Sequence, residues 1–522
     1  MKNQKYSLYE VEPMSNLKEI VNRVAEKFGD AIAFTYGQDS ERIDISYHKF
    51  KSDINAFENV LFNLGIQNQK IALIGENSYE WIMTYFSVVN SGNVIVPLDQ
   101  ELSLDQIKHI LTECGATSFL FSDTYAGIAE QLQNSDISVQ HFINLNTVSE
   151  LLKNIDFNGK GGKRIIANYE IDNMMLATIL YTSGTTGKPK GVMLSHKNLA
   201  FNATGACQNI SFPHSSLLVL PLHHSFAFTA GILMMIISGA TIAINQNLKD
   251  LKKDIQQFKP RNILMVPLLI ETFHKQISIV AKGNNDSKAL KKIANVVFGG
   301  NLRTIVSGGS PLDKKYIEQF REMGITILEG YGITECSPVV SVNRNQYYRD
   351  GSVGQVLPNC EVKILNPNED GYGEICVKGD TVMLGYYNNH KQTKESFDNR
   401  WFKTGDIGTL DKDGFLFISG RKKNLIILAN GKNVYPEELE FILLNSISYI
   451  KEVIIYAEKE LIVAEVFLGI EKENSDVFSE KLNEDILHLN KSLALYKNIG
   501  RIIIRDTEFP KTTTKKIKRK ND

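Results

Sequence analysis

The 522-residue sequence contains little cysteine, almost no net charge and no long apolar run. Its five cysteines form no CxxC pair and no disulfide-framework spacing, which predicts reduced thiols in a cytoplasmic protein. The 58 basic and 59 acidic residues leave a net charge of −1, which gives no global reason to expect nucleic acid or an acidic membrane as a partner. The amino terminus lacks the apolar core of a signal peptide, and the most apolar segment, residues 231–244, is too short to span a bilayer. We therefore expect no transmembrane segment, and a buried helix and strand at 231–244.

The length and the 43% hydrophobic content predict two or more domains with large cores. Apolar residues spaced three and four apart predict a helix over 17–28, and a strand, helix and strand follow as a βαβ unit at 70–97. Strand-like apolar runs then recur at 117–122, 217–220, 240–244, 262–266 and 304–307. This alternation favours an α/β fold with stacked parallel or mixed sheets.

The pattern of apolar runs and turn residues changes after residue 350. Short β-rich runs separated by Asn-Pro, Asp-Gly and Gly-Tyr turns predict a small barrel or sandwich at 351–420. A final α+β module of about one hundred residues begins after residue 420, with strands predicted at 453–456 and 462–467.

The segment YTSGTTGKPKGVMLSH, residues 181–196, has the composition of a phosphate-binding turn. Glycines let the backbone approach a ligand closely, hydroxyls donate hydrogen bonds to phosphate oxygens, and lysines add positive charge. The glycines are Gly184, Gly187 and Gly191, the hydroxyl residues are Thr182, Ser183, Thr185 and Thr186, and the lysines are Lys188 and Lys190. The spacing differs from the GxxxxGK[ST] pattern of Walker-type NTPases. Nucleotide chemistry of another class is the leading hypothesis, with an ordinary Gly/Ser/Thr loop as the alternative.

Two further turns carry groups that an ATP site needs. LEGYGITECSP, residues 328–338, combines the ring of Tyr331, the hydroxyl of Thr334 and the carboxylate of Glu335. The ring can stack on adenine, the hydroxyl can reach the α-phosphate, and the carboxylate can bind a magnesium ion. WFKTGD, residues 401–406, ends in Asp406, whose carboxylate can accept both hydroxyls of a ribose. Taken alone, Glu335 also suits a solvated surface turn and Asp406 an Asx turn.

Two cationic segments lie towards the carboxyl end. GRKKNLIILANGKNVYPEELE, residues 420–440, opens at the predicted domain boundary and closes with a Pro-Glu-Glu helix start. FPKTTTKKIKRK, residues 509–520, concentrates lysines near the terminus. By themselves, a charged linker and a solvated tail are the ordinary interpretations.

In this order the five segments resemble the motifs of the acyl-adenylate-forming (AMP-binding) superfamily, most closely its fatty acyl-CoA synthetase branch. The resemblance implies a large amino-terminal domain, residues 1–420, made of two α/β subdomains plus a β-barrel at about 351–420. A small mobile α+β domain at 421–522 follows. The implied activity is that of an AMP-forming ligase, which uses ATP and Mg²⁺ to join a carboxylic acid to AMP and then passes the acyl group to the thiol of coenzyme A.

The resemblance also assigns roles to the motif residues. The catalytic set is Lys516 for adenylation, Glu335 as the magnesium ligand, Thr334 at the α-phosphate, and His224, in LPLHHSF, beside the acyl group and thiol passage. The phosphate-binding set is Thr182, Ser183, Gly184, Thr185, Thr186, Gly187 and Lys190. The nucleoside set is Gly308, Gly309 and Ser310 as the adenine-side wall, Tyr331 and Gly332 at the adenine, and Asp406 with Arg421 at the ribose. Lys423 is the implied interdomain hinge and Gly431 lines the thiol tunnel.

Three positions depart from the family pattern. Lys515 stands where a glycine commonly precedes the catalytic lysine, and Lys516 is chosen because Ile517 follows it. His223 replaces the aromatic residue that commonly precedes the active-site histidine, and Ser310 replaces an alanine. Either of these last two changes is expected to reshape the acyl pocket.

The substrate class is inferred from HHSFAFTAG, residues 223–231, which contains no acid to pair with an α-amino group. A fatty or aryl acid pocket is therefore expected, lined by Phe226, Phe228, Ile232 and Met235, with core packing as the equal alternative for these four. The acceptor is coenzyme A or the phosphopantetheine of an acyl carrier protein, which end in the same thiol. A luciferase-like oxidase and a noncatalytic acyl- or nucleotide-binding scaffold are the remaining alternatives.

Overall fold

The fold is described from a computed structural model. The structure describes residues 6–38, 41–148, 150, 169–182, 189–281, 286–428, 432–458, 461–469, 475–511, 517 and 519.

The strands, in chain order, are β1 (Ile32–Gln38), β2 (Glu41–Ser46), β3 (Lys70–Ile74), β4 (Val94–Pro97), β5 (Ser118–Phe121), β6 (His141–Asn144), β7 (Leu176–Thr182), β8 (Lys190–Ser195), β9 (Ser215–Leu218), β10 (Thr241–Ile244), β11 (Asn262–Met265), β12 (Thr304–Ser307), β13 (Thr326–Gly332), β14 (Val339–Val342), β15 (Gln355–Val356), β16 (Cys360–Leu365), β17 (Gly373–Gly379), β18 (Gly385–Tyr386), β19 (Phe397–Asp398), β20 (Trp401–Leu410), β21 (Leu416–Arg421), β22 (Ile426–Ile427), β23 (Asn433–Val434), β24 (Glu452–Glu458), β25 (Leu461–Phe467) and β26 (Ile499–Arg505).

The α-helices are α1 (Leu17–Phe28), α2 (Tyr47–Asn63), α3 (Tyr79–Asn90), α4 (Leu104–Cys114), α5 (Ala126–Gln133), α6 (His196–Asn209), α7 (Ser225–Phe228), α8 (Met234–Ile237), α9 (Leu251–Phe258), α10 (Pro267–Ala281), α11 (Ser287–Val297), α12 (Lys314–Glu322), α13 (His390–Glu395), α14 (Pro436–Ser446) and α15 (Ser475–Asn490). A π-helical turn, Thr229–Leu233, joins α7 to α8.

Two mixed sheets form the amino-terminal part. The nine-stranded sheet has the order β15-β14-β13-β12-β11-β9-β10-β1-β2, in which the strands from β13 to β1 are parallel and those at both edges antiparallel. The seven-stranded sheet has the order β18-β8-β7-β4-β3-β5-β6, parallel from β7 to β6. Stacked parallel or mixed sheets, predicted from the alternating pattern, are confirmed.

A single hydrophobic cluster joins the two sheets. It contains Leu73 and Ile95 from the seven-stranded sheet, Leu218 and Val306 from the nine-stranded sheet, and Phe86 from α3. Eleven of the twelve residues of α3 are buried, as a helix enclosed on all sides requires. Each fully buried large apolar side chain contributes about 1.5–3 kcal/mol, so this shared interior holds the sheets together.

Several local predictions are confirmed. Helix α1 begins and ends where the apolar spacing places it, and the Asn16 side chain caps it. In the βαβ unit, β3 and β4 are parallel and α3 is capped by Ser78. Asn77, the residue before this cap, donates to the Leu220 carbonyl at 3.0 Å. Residues 231–244 form a buried helical segment and strand β10, and among the described residues no helix has the length and apolar character needed to cross a bilayer.

The predicted β-rich segment forms an antiparallel sheet in the order β16-β17-β20-β19, with β21 added on β20. Strand β18 lies between β17 and β19 in the chain but pairs with β8 of the seven-stranded sheet. The β21 edge of this sheet is joined to the segment around β15 by the isolated bridge Gln355–Phe415 and by backbone hydrogen bonds between residues 353–354 and Leu416. The predicted β-rich character is confirmed.

A smaller carboxyl-terminal unit has its own core. Strands β24, β25 and β26 form a three-stranded sheet that packs with α14 and α15 around a separate hydrophobic cluster, which includes Val434, Leu443, Ile455 and Leu482. The strands predicted at 453–456 and 462–467 are confirmed as parts of β24 and β25.

Candidate active site

One cleft of about 2330 Å³ brings together most of the described motif residues. The carboxyl ends of parallel strands meet at one edge of a sheet, and the segments that follow β9, β12 and β13 line the cleft there. Strand ends from the seven-stranded sheet, strands β20 and β21, and the carboxyl-terminal unit supply its other walls. The cleft therefore lies where all parts of the fold converge.

Tyr331, Asp406 and Arg421 form a hydrogen-bonded cluster at one wall. The Tyr331 hydroxyl donates to Asp406 Oδ2 at 2.6 Å, and Arg421 Nε lies 2.9 Å from Asp406 Oδ1. Asp406 and Arg421 are opposite each other in the β20–β21 pairing, and the Asp406 side chain is only 6% exposed. Burial, followed by the Asp406 charge, raises the pKa of Tyr331 well above its ordinary value, so the phenol stays a donor. The predicted adenine and ribose residues are thus adjacent.

Glu335, Tyr386 and Lys190 form a second cluster. The Tyr386 hydroxyl donates to Glu335 Oε1 at 2.9 Å, and Lys190 Nζ lies 5.7 Å from the Tyr386 ring centroid. Burial lowers the pKa of Lys190, and the Glu335 charge opposes that shift. Tyr386 comes from β18, and the pairing of β18 with β8 places its ring near Lys190, the first residue of β8.

The turns that carry Thr334 and the paired glycines pack against α7. The hydroxyls of Thr334 and Ser225 are 3.2 Å apart. A Cβ at Gly308 would lie 3.1 Å from the Phe226 ring, and Gly309 has a φ of +87°, which disfavours any residue with a side chain. Gly308 is buried, whereas Gly309 and Ser310 are exposed along the cleft. The glycines let this wall approach the start of α7 closely.

His223 and His224 lie at the carboxyl-terminal side of β9, next to Asp99, which follows β4. The His223 and His224 ring centroids are 4.1 Å apart, and His223 Nε2 lies 3.4 Å from Asp99 Oδ1. All three side chains line the cleft. A carboxylate from another part of the chain therefore faces His223.

The four predicted acyl-pocket residues divide into two groups. Phe226 is partly buried and lines the cleft. Phe228 packs on Tyr85 with ring centroids 3.9 Å apart, and Ile232 and Met235 are fully buried in the shared interior. Phe226 fits the pocket interpretation, and the other three fit the core-packing alternative.

Part of the phosphate loop is described. Thr182 and Lys190 are partners in the β7–β8 pairing, and both line the cleft. The predicted residues Ser183, Gly184, Thr185, Thr186 and Gly187 lie outside the described residues.

The predicted hinge region is a 3₁₀ turn, Lys422–Asn424, that directly follows β21. Lys422 Nζ contacts Glu374 at 2.7 Å, and Asn424 Nδ2 donates to Glu437 at 2.6 Å. Lys423 lines the cleft, and its pKa is lowered by burial and then by the nearby Arg421 charge. Gly431 and Lys516 lie outside the described residues.

The described residues on either side of position 516 contact the carboxyl-terminal unit. Lys511 and Ile517 pair as an isolated antiparallel bridge, and Lys511 contacts Glu452 through an ion pair. Arg519 Nη2 lies 2.6 Å and 2.5 Å from the two carboxylate oxygens of Glu440. Lys511, Ile517 and Arg519 line the cleft, so the ends of the described tail are fixed at its edge.

Sequence reasoning missed four contributors to the cleft: Asp99, Tyr386, Glu440 and Arg519. Asp99 follows the carboxyl end of a predicted parallel strand, and that position could have identified it. The positions of Tyr386 and Glu440 at the cleft depend on the packing of strands and helices that are distant in the chain. No local spacing in the sequence connects these two residues to their partners. Arg519 lies in a cationic run, which gives no sign of its pairing with Glu440.

Comparison of the chain with known proteins identifies its family. A protein-family model described as an AMP-binding enzyme matches residues 21–387. The chain belongs to the AMP-binding enzyme family. This match confirms the predicted family and, with the relatives below, an AMP-forming ligase of the acyl-CoA synthetase type.

Similar AMP-binding enzymes include the long-chain-fatty-acid–CoA ligase FadD15 of Mycobacterium tuberculosis, 30% identical over 445 residues, with 76% of this chain and 72% of that protein covered. The long-chain-fatty-acid–CoA ligase of Yersinia pestis is 27% identical over 555 residues, covering 98% and 95%. Among solved structures, the O-succinylbenzoate coenzyme A synthetase of Bacillus subtilis in complex with AMP has a TM-score of 0.76 at 26% identity, covering 95% and 96%. The fold therefore matches that of adenylate-forming enzymes over nearly the whole chain.

Proposed function

We propose that this AMP-binding enzyme uses ATP to convert a fatty acid to its acyl-AMP, and then transfers the acyl group to the thiol of coenzyme A. The observation that carries the proposal is the single cleft lined by residues of all the described motifs, from His224 to Arg519. The names of the relatives, long-chain-fatty-acid–CoA ligases, support the same acid and acceptor. The five free cysteines support a cytoplasmic location.

The proposed reaction has two displacement steps. A carboxylate oxygen attacks the α-phosphorus of ATP, the bond from that phosphorus to the bridging oxygen of the β-phosphate breaks, and pyrophosphate leaves. The thiol sulfur, having lost its proton, then attacks the acyl carbon, and AMP leaves with the former carboxylate oxygen. Adenylation is needed because a free carboxylate has no adequate leaving group.

The first step brings anions together, so the cleft must supply positive charge and fixed donors. Lys190, near Glu335 at the phosphate-loop end, is proposed to bind departing phosphate, and Thr334 to donate to the α-phosphate. Lys516 is proposed to contact the reacting carboxylate and α-phosphate. The tail anchored at Arg519 supports this role, because it ends at the edge of the same cleft.

The nucleoside is proposed to bind at the Tyr331, Asp406 and Arg421 cluster, beside Gly332 and the Gly308–Ser310 wall. Adenine and ribose are joined, so their binding groups must be adjacent. The 2.6 Å contact between Tyr331 and Asp406 supports that assignment. The Arg421 side chain, 46% exposed, would hold the Asp406 carboxylate toward the ribose.

Glu335 fits a magnesium ligand. Its carboxylate lines the cleft, and the hydrogen bond from Tyr386 fixes its orientation, as partners of a ligating carboxylate commonly do. A bound hard cation would offset the charge of the phosphates. Lys190 and the other residues around the cation would bind the same phosphates.

The second step is proposed to follow a rotation of residues 421–522 about Lys423, with residue 420 as the domain boundary. The 3₁₀ turn at Lys422–Asn424 lies between β21 and the separate carboxyl-terminal core, which supports a boundary there. After rotation, Gly431 would line the thiol tunnel, and His224 would lie beside the acyl carbon.

The test is a product assay with acids of graded chain length, aromatic acids and amino acids, each with ATP and Mg²⁺, with and without coenzyme A. The proposal expects pyrophosphate and AMP from fatty acids, and an acyl-CoA thioester when coenzyme A is present. Pyrophosphate release with fatty acids but no coenzyme A thioester would reassign the acceptor to a carrier protein. No pyrophosphate with any acid would contradict ligase function and leave a noncatalytic scaffold.

A further inference from the structure

Asp99, His223 and His224 bring three metal-binding side chains together at a wall of the cleft. One ligand atom from each residue lies within 4.8 Å of the other two. The cluster lies outside the Glu335 site, next along the chain to Ser225, whose hydroxyl contacts Thr334. The family pattern does not account for it, because His223 replaces the aromatic residue expected there.

The environment of His223 points to a ligand. Its side chain is 93% buried, and neither ring nitrogen has a hydrogen-bond partner among the described residues. A buried polar group without a partner costs free energy. The His223 Nε2 to Asp99 Oδ1 distance of 3.4 Å exceeds an ordinary N–H···O hydrogen bond, yet two ligands of a tetrahedral Zn²⁺ lie about 3.4 Å apart.

The carboxylate is also oriented by the backbone. Asp99 Oδ1 accepts a hydrogen bond from the Glu101 N–H at 3.0 Å. Such outer contacts hold a ligating carboxylate in place and tune its affinity. The His223 and His224 rings come from consecutive residues and are tilted by 48°, so their nitrogens can converge from two directions.

We propose that Asp99, His223 and His224 bind one divalent transition-metal ion, of the Zn²⁺ or Co²⁺ class, at this wall of the cleft. Two imidazoles and one carboxylate favour these ions over Mg²⁺, which prefers oxygen ligands. Three protein ligands leave a fourth position for water or another ligand. Because the ion occupies a nitrogen of His224, bound Zn²⁺ inhibits the ligase; this consequence rests on the proposed function, whereas metal binding does not.

The binding test uses full-length protein freed of metal by a chelator and titrated with Co²⁺, without ATP or acid, while visible absorption is recorded. Zn²⁺ binding is measured by calorimetry in excess Mg²⁺. The expected result is one equivalent bound, with a Co²⁺ spectrum typical of low coordination number. Asp99→Asn and His223→Phe should each weaken binding about 100-fold or more, as loss of a ligand should exceed the effect of losing an outer contact.

His109→Ala is the matched control, because His109 also lies near a carboxylate, Glu113 at 4.0 Å, but on the exposed surface of α4. It should bind the metal as the unaltered protein does. The Asp99→Asn variant keeps the shape of the side chain, and circular dichroism verifies that it folds. Absence of stoichiometric binding, or equal binding by the control and both site variants, would overturn the proposal.

The inhibition test is separate. Micromolar Zn²⁺ added with saturating Mg²⁺ should slow fatty-acid-dependent pyrophosphate release, and Asp99→Asn should need far more Zn²⁺ for the same fractional inhibition. If the protein proves to have no ligase activity, the binding titration still decides whether the metal site exists. Equal Zn²⁺ sensitivity of the variant would overturn the inhibitory role.

Discussion

Replacing Arg519 with alanine should slow acyl-adenylate formation far more than thioester formation. Arg519 follows Lys516 by three residues, and its guanidinium contacts both carboxylate oxygens of Glu440 while Nη1 donates to the Ile455 carbonyl at 3.0 Å. The Arg519 and Glu440 side chains are only 17% and 14% exposed, so solvent screens this pair weakly. The contact therefore holds Arg519 in place.

The magnitude follows from these contacts. A hydrogen bond to a charged group contributes about 1.5–3 kcal/mol, and each 1.4 kcal/mol changes a population tenfold. Losing about 2–3 kcal/mol of stabilisation from the Arg519 contacts would lower the fraction of molecules with a correctly placed tail roughly 30- to 150-fold. Adenylation, for which Lys516 is proposed to enter the cleft, should fall by that factor. Conversion of supplied acyl-AMP to thioester should fall by less than about threefold, because the proposed second step does not use the lysine.

The assay measures pyrophosphate release with ATP and acid, and separately thioester formation from synthetic acyl-AMP and coenzyme A. Arg501→Ala is the matched control, because Arg501 pairs with Glu458 at 2.8 Å in the same unit, with side chains 53% and 44% exposed. Exposed pairs contribute little, so both steps should be nearly unchanged. Arg519→Lys should recover part of the loss by keeping the charge. Equal slowing of both steps, or unaltered adenylation in Arg519→Ala, would refute the reasoning.

Three other predictions concern the catalytic tail, the hinge and the core. Lys516→Ala should abolish acid-dependent pyrophosphate release yet largely spare thioester formation from acyl-AMP; comparable loss of both would remove its assigned role. Lys423→Pro should slow overall turnover more than pyrophosphate release, because a hinge must absorb dihedral changes, and unchanged turnover would reject the hinge. Burial raises the pKa of Glu58 from 4.5 to about 7, so the folded state loses stability as the pH rises between these two values. Glu58→Gln should be more stable than the unaltered protein by up to about 3 kcal/mol at pH 8 in urea unfolding, with the gain shrinking towards pH 5; a gain independent of pH would contradict the assigned shift.

The sequence predicts much of the fold because apolar periodicity reports burial directly. Helix α1 and the β3–α3–β4 unit coincide with the apolar runs, since the residues that set the pattern face the core. How the β-rich segment joins the rest of the fold was not predictable in this way. Strand β18 has only two residues, and these cannot reveal that they pair with β8.

The candidate site was predictable where one turn carries several functional groups. Tyr331, Thr334 and Glu335 share such a turn, and the structure places all three at the cleft. The contact between Asp99 and His223 could not be read from spacing, because more than one hundred positions separate the two residues in the chain. Its formation depends on two different sheets presenting their strand ends to the same cavity.

The most direct test of the central claim is acid-dependent exchange of radiolabelled pyrophosphate into ATP. The proposed chemistry forms acyl-AMP reversibly, so label should enter ATP only when ATP, Mg²⁺ and a fatty acid are all present. Coenzyme A should then divert the intermediate to a thioester. Absence of exchange with every fatty acid, or formation of ADP and phosphate instead of AMP and pyrophosphate, would contradict the account.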